Sequence, residues 1–178
     1  SMSNKVFNRS VVLVVCNPKG GVCKTTVALN MGCILASEYG LKVCLIDGEK
    51  DGSLSNFEFS DNLNAETLPH IRAGYNQDLH RDIPIFKQLY DVIIVDTAGV
   101  TPDFGAVSGE VLGGQEKVSL QSLSMADMLI VPITPSPVVI RKTAGFAPIV
   151  ERWQMMRVGQ LDAVMVLNMV KSREQLST

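Results

Sequence analysis

The chain has 178 residues and a formal net charge of −2, with 46% hydrophobic and 19% charged residues. That length can bury one sizeable core without disulfide or metal staples. The composition excludes a disordered or collagen-like chain, and the charge excludes a polycation that would grip nucleic acid over its whole surface.

In chain order, residues 11–16 form a continuous apolar run, and so do 43–46, 92–95, 128–131 and 164–167. Runs this short, apolar on both faces and rich in β-branched residues, predict strands buried on both sides. Between the first two, Val27, Met31, Ile34 and Leu35 recur at helical spacing. They predict a helix over 24–39 with Gly40 as its C-cap. Further helices are predicted near 78–89, 117–126 and 138–156. Strand and helix alternate, which predicts a three-layer α/β fold, a mostly parallel sheet with helices on both faces. Residues 51–67 and 99–116 read as loops. The second holds five glycines and Pro102, and a loop of that length is usually functional.

No linker divides the chain. Residues 1–9 read as a tag remnant (Ser1 before Met2) and a lead-in, and 10–178 as one domain. Cys16, Cys23, Cys33 and Cys44 sit in apolar surroundings with no CxxC pair, and His70 and His80 follow no metal-ligand spacing. Four reduced thiols point to a cytoplasmic protein. No apolar run is long enough to cross a bilayer.

The chemistry concentrates after the first strand, in Asn17-Pro18-Lys19-Gly20-Gly21-Val22-Cys23-Lys24-Thr25-Thr26. A strand, a glycine-rich turn and a helix opening on Lys-Thr is phosphate-binding context. Glycines let several backbone N–H groups point at one anion, and the helix N-terminus adds partial positive charge. Lys24 is placed to reach the β- and γ-phosphates, and the Thr25 hydroxyl to ligate Mg²⁺. Asp96 closes the apolar run 92–95 at the strand end where open α/β sheets bind ligands. Gly99, three residues on, would let the following loop turn with the γ-phosphate.

The spelling KGGxxKTT resembles the deviant Walker A loop of the ParA/MinD family of partition and positioning ATPases, which implies the three-layer P-loop NTPase fold. Residues 45–53 resemble the family's D-x-D-P-Q-G signature, residues 90–99 its Walker B strand and switch II, and residues 126–134 its AD-x-x-h-x-P strand and loop. The resemblance runs from about residue 10 to residue 170. It implies ATP and Mg²⁺ as cofactors, with Lys19, Gly20, Gly21, Val22, Cys23, Lys24, Thr25 and Thr26 cradling the phosphates. Asn168 would face the adenine. Thr25, Asp47 and Asp96 would serve the metal region. Lys19 would reach across an ATP-sandwiched homodimer, and Glu49 stands where the family's aspartate orients the attacking water. The implied function is an ATP-dependent dimerisation switch in plasmid or chromosome partition, with a DNA-bound, ParB-like adaptor as partner. The alternatives are a nucleotide-gated scaffold with little hydrolysis and a MinD-like positioning or secretion ATPase.

Three features depart from the family pattern. Cys23 stands where the family writes glycine, and a side chain there costs about 1–2 kcal/mol if φ must be positive. A thiol beside Lys24 at a helix N-terminus is also a candidate for a lowered pKa. Glu49 adds one methylene to a residue whose reach matters to about 1 Å. Finally, the chain stops soon after its last predicted strand, where family members usually continue through another strand and helix. Residues 139–178 carry a net +3 and residues 1–138 a net −5, so a basic C-terminal surface could meet non-specific DNA.

Overall fold

The computed structural model describes residues 9–17, 24–52, 54–98 and 114–167. Strand β1 is Val11–Val15, followed by helix α1, Lys24–Ser37, and strand β2, Val43–Asp47. Strand β3, His70–Ala73, helix α2, Leu79–Leu89, and strand β4, Val92–Asp96, come next. Helix α3, Gly114–Met125, strand β5, Met128–Ile133, helix α4, Pro137–Met156, and strand β6, Asp162–Leu167, complete the described fold. The strands form one sheet in the order β3-β2-β4-β1-β5-β6, and each pairing is parallel. This is the three-layer α/β architecture that the alternation predicts.

The period-2 geometry of a strand divides the core into two layers. Val12 and Val14 of β1 join Ile93, Val95, Leu129 and Val131 in a layer with Ile83 of α2, Val118 of α3 and Phe146 of α4. Leu13 and Val15 face the other way, with Leu45, Ile94 and Ile130 against Val27, Ala28 and Ala36 of α1. Central strands are thus apolar throughout because both faces are covered. The α1 layer is thin at Gly32, where an added Cβ would lie 2.8 Å from Leu45 Cδ2.

The structure corrects the sequence reading at three places. The run 164–167 is not buried on both sides: Met165 is 70% and Leu167 64% exposed. Its strand, β6, is the outer strand of the sheet and pairs with β5 alone among the described residues. Strand β3 was not predicted, because an edge strand of four residues, His-Ile-Arg-Ala, carries no apolar run. The third helix begins at Gly114, ahead of the expected 117. Residues 99–113 of the long loop lie outside the described residues. Among the described residues no helix is long and apolar enough to cross a membrane.

Candidate functional site

Parallel strands bring their carboxyl ends to one edge. There β1 and β2 flank β4, with Val15 and Asp47 both in register with Asp96. Helix α1 opens at the same edge, so residues from four segments of the chain meet. Lys24 is 7% exposed at the first position of α1, and among the described residues no carboxylate lies within ion-pair distance of it. A buried ammonium without a carboxylate partner is arranged for an anion.

The Thr25 hydroxyl donates to Asp96 Oδ2 at 2.6 Å. Asp96 is fully buried, and its Oδ1 has no hydrogen-bond partner among the described residues. Burial pushes the Asp96 carboxyl up to about 7, against the Thr25 hydrogen bond and the Lys24 charge, while the Glu49 and Asp47 charges push the same way as burial. A hydroxyl and a carboxylate with an orphaned oxygen form a hard oxygen set, which suits Mg²⁺ rather than a soft metal. Thr25 and Asp96 are therefore the residues here that could hold the cation. Thr26 is exposed on the next position of α1.

Asp47 is differently occupied. Its Oδ1 accepts from the Glu49 N–H at 3.1 Å and its Oδ2 from the Ser55 N–H at 2.8 Å. The carboxylate thereby shapes the turn after β2, and each oxygen keeps a further lone pair. Gly48 presses this turn against β4. Its N–H donates to Asp96 O at 2.8 Å, and an added Cβ would lie 2.6 Å from that oxygen and 2.9 Å from Val118 Cγ1. Glu49 is half-buried beside it.

The run into the phosphate loop is clamped from three directions. Val15 O accepts both the Thr97 N–H, at 3.2 Å, and the Thr97 hydroxyl, at 2.8 Å. The Cys16 N–H donates to Ile130 O at 3.0 Å. The buried Asn17 carboxamide donates to Pro132 O at 2.7 Å and to Thr143 Oγ1 at 3.2 Å. Sequence reasoning missed Asn17, Thr97, Thr143, Ser55 and Gly48 as parts of the site. Adjacency to the loop and to Asp96 was a signal for Asn17 and Thr97. Thr143 and Ser55 carried none, since only the fold brings them in.

The structure thus brings together Lys24, Thr25, Asp47, Glu49 and Asp96. Lys19, Gly20, Gly21, Val22, Cys23, Gly99 and Asn168 lie outside the described residues. The three described cysteines are free thiols. Burial pushes Cys16 and Cys44 up to about 12 and raises Cys33 as well, which makes them inert as nucleophiles.

The chain matches the family described as the CobQ/CobB/MinD/ParA nucleotide binding domain over residues 13–178. Septum site-determining protein MinD of Thermotoga maritima is 58% identical over 38 residues, 21% of this chain and 14% of that protein. Maintenance of carboxysome distribution protein A of Halothiobacillus neapolitanus is 21% identical over 170 residues, 96% of this chain and 71% of that protein. Cobyrinic acid a,c-diamide synthase of Mycobacterium smegmatis, solved with ADP and magnesium, superposes with a TM-score of 0.67 at 22% identity. That superposition covers 92% of this chain and 76% of that one, and at such identity the likeness is one of fold. Where identity to curated relatives is high, the matched stretch spans only 14–17% of their length.

Proposed function

The chain belongs to the CobQ/CobB/MinD/ParA nucleotide-binding family, and on that premise we propose that it is an ATP-hydrolysing switch. In this reading residues 10–178 act as one domain that dimerises on binding ATP and serves plasmid or chromosome partition, with a DNA-bound adaptor protein as partner. The observation that carries the reading is the Thr25–Asp96 hydrogen bond beside a buried, carboxylate-free Lys24. It supports a site for a metal-bound polyphosphate better than a plain helix start does.

Lys24 would place its ammonium against the β- and γ-phosphates, held there by the first turn of α1. Thr25 and Asp96 would hold Mg²⁺, with Asp47 keeping the neighbouring turn in shape. The bound cation would neutralise charge on the transferring phosphoryl group. Glu49 would orient the attacking water, and Lys19 would reach the partner's nucleotide.

Calorimetric titration with ATP and Mg²⁺, phosphate release, and light scattering test the reading together. Lys24→Ala should abolish ATP binding, and ATP affinity within twofold of the parent would sink the site. Lys19→Ala should keep the first nucleotide and lose ATP-dependent dimerisation. A Lys19→Ala protein that still dimerises with ATP would remove the cross-dimer role.

Glu49 favours one second reading, a nucleotide-gated scaffold with little hydrolysis. Its half-buried side chain is longer than the family's aspartate, and its charge bears on Asp96. Steady-state phosphate release with and without DNA separates the two readings. Pull-downs on DNA and on liposomes separate partition from a MinD-like positioning role.

A further inference from the structure

We propose that the opposite end of the sheet carries a second site, one that binds a small organic anion through Arg72, His70 and Lys42. Lys42 directly precedes β2, whose far end is Asp47. Lys42 therefore lies about 15 Å of strand from the nucleotide edge. Arg72 sits in register with Ile46, next to Asp47, but its guanidinium turns away from that edge to the Tyr90 hydroxyl ahead of β4. The proposal does not depend on what binds at the nucleotide edge.

The argument begins with Tyr90, which is buried at the end of α2. Arg72 Nε and Nη2 lie 3.3 Å and 3.0 Å from the Tyr90 hydroxyl. A guanidinium can only donate, so Tyr90 is the acceptor in both contacts. Its own proton then needs an acceptor, and His70 Nδ1 stands 3.0 Å away. Tyr90 therefore donates to Nδ1, which leaves His70 with its proton on Nε2. The cluster turns donors outward, an Nε2–H and the guanidinium N–H groups not taken by Tyr90 and Cys44, and Lys42 lines the same cleft.

Arg72 is also held in place. Its guanidinium lies 4.9 Å from the centroid of the Phe86 ring and 5.8 Å from that of Tyr90. A cation fixed by neutral groups has already lost the freedom that binding would otherwise cost. Among the described residues no carboxylate is within ion-pair distance of Arg72 or Lys42.

Lys42, His70 and Arg72 line one cleft of about 820 Å³, together with Glu66 and the apolar Leu41 and Leu68. The carboxyl end of α2 contributes about half a negative charge nearby, and Glu66 contributes one. Asp91, whose carboxylate accepts the Lys42 N–H at 2.9 Å, contributes another. Two full cations offset most of this charge, and the fixed donors of Arg72 and His70 supply the preference for an anion. The Arg72 and His70 donors, an apolar wall and this volume suit a small molecule with an apolar body and one phosphate or carboxylate group.

The test titrates inorganic phosphate and, in a second arm, citrate, into Lys24→Ala protein at constant pH. That background removes the main phosphate ligand of the nucleotide edge. The readout is the NMR signal of the His70 ring, assigned with His80→Gln. Saturable movement of that signal by either anion is expected, and the arm that saturates at lower concentration names the headgroup. Arg72→Gln should weaken the effect about tenfold or more, the scale of one charge-assisted hydrogen bond, and Lys42→Gln about threefold. If Arg72→Gln does not fold, Lys42→Gln decides, because its side chain is exposed. A His70 signal unmoved by both anions up to about 10 mM, or moved equally in the parent and in Lys42→Gln, would overturn the proposal.

Discussion

Thr25 and Asp96 stand 71 residues apart in the chain and 2.6 Å apart in space, the hydroxyl donating to Oδ2. The bond ties the first turn of α1 to the end of β4 and leaves Oδ1 of the same carboxylate buried and, among the described residues, without a hydrogen-bond partner. A carboxylate in that position opposes folding in the absence of a cation, and its pH dependence follows from that.

Asp96 rises from the ordinary 3.8 to about 7 in the folded chain, chiefly through burial. Between those values the unfolded chain has released the proton that the folded chain retains. The stability that Asp96 contributes is therefore complete below about pH 4, falls as pH rises towards 7, and is flat above. Asp96→Asn should remove this slope and raise apo stability at pH 7.5 by a few kcal/mol, while losing Mg²⁺-dependent nucleotide affinity. Urea unfolding of both proteins at pH 5 and pH 7.5 measures it, and an equal pH slope in the variant would refute it.

Gly48→Ala should disturb the site through the backbone. The new Cβ meets Asp96 O at 2.6 Å and Val118 Cγ1 at 2.9 Å, so strand ends or α3 must shift. Overpacking of this kind costs about 1–3 kcal/mol. A lower melting temperature together with weaker Mg²⁺-ATP binding is expected. Loss of stability at unchanged affinity would show that the β2–β4 spacing does not position Asp96.

Glu49→Asp and Cys23→Gly should separate kinetically. On the proposed role of Glu49 in orienting the attacking water, Glu49→Asp should raise kcat. On the proposed role of residue 23 in the phosphate loop, Cys23→Gly should lower KM. A change of about tenfold corresponds to 1.4 kcal/mol, which one misplaced methylene can supply. ATP turnover across concentration for both single variants and the double variant checks this, and unchanged parameters in both would end the assigned roles.

Val158 offers a test away from the site. It is β-branched, 85% exposed and held at φ 51 beyond the end of α4. The left-handed region costs such a residue about 1–2 kcal/mol, and asparagine tolerates it far better. Val158→Asn should stabilise the protein by about 0.5–1 kcal/mol by urea unfolding, with ATP affinity untouched. No gain in stability would mean that the Val158 side chain is held by favourable contacts.

The residues by themselves determined the central strands and the phosphate-loop setting. Strands β1, β2, β4 and β5 announce themselves because burial on both faces demands unbroken apolar runs, and the glycine-rich run that leads into Lys24-Thr25 follows the first of them. The helices were legible to within a few residues because each fills the stretch between two apolar strand runs. The edges were not legible. Nothing in His-Ile-Arg-Ala marks β3 as a strand, and nothing in 164–167 says that β6 stays half uncovered, because both depend on which neighbours the sheet order supplies. The site divides in the same way. Lys24, Thr25, Asp47, Glu49 and Asp96 were readable as types at the ends of elements. Their meeting, the orphaned oxygen of Asp96, the turn that Asp47 shapes and the clamp of Thr143 on Asn17 were decided by tertiary structure. Hydrogen bonds and desolvation act between atoms that only folding brings within 3 Å.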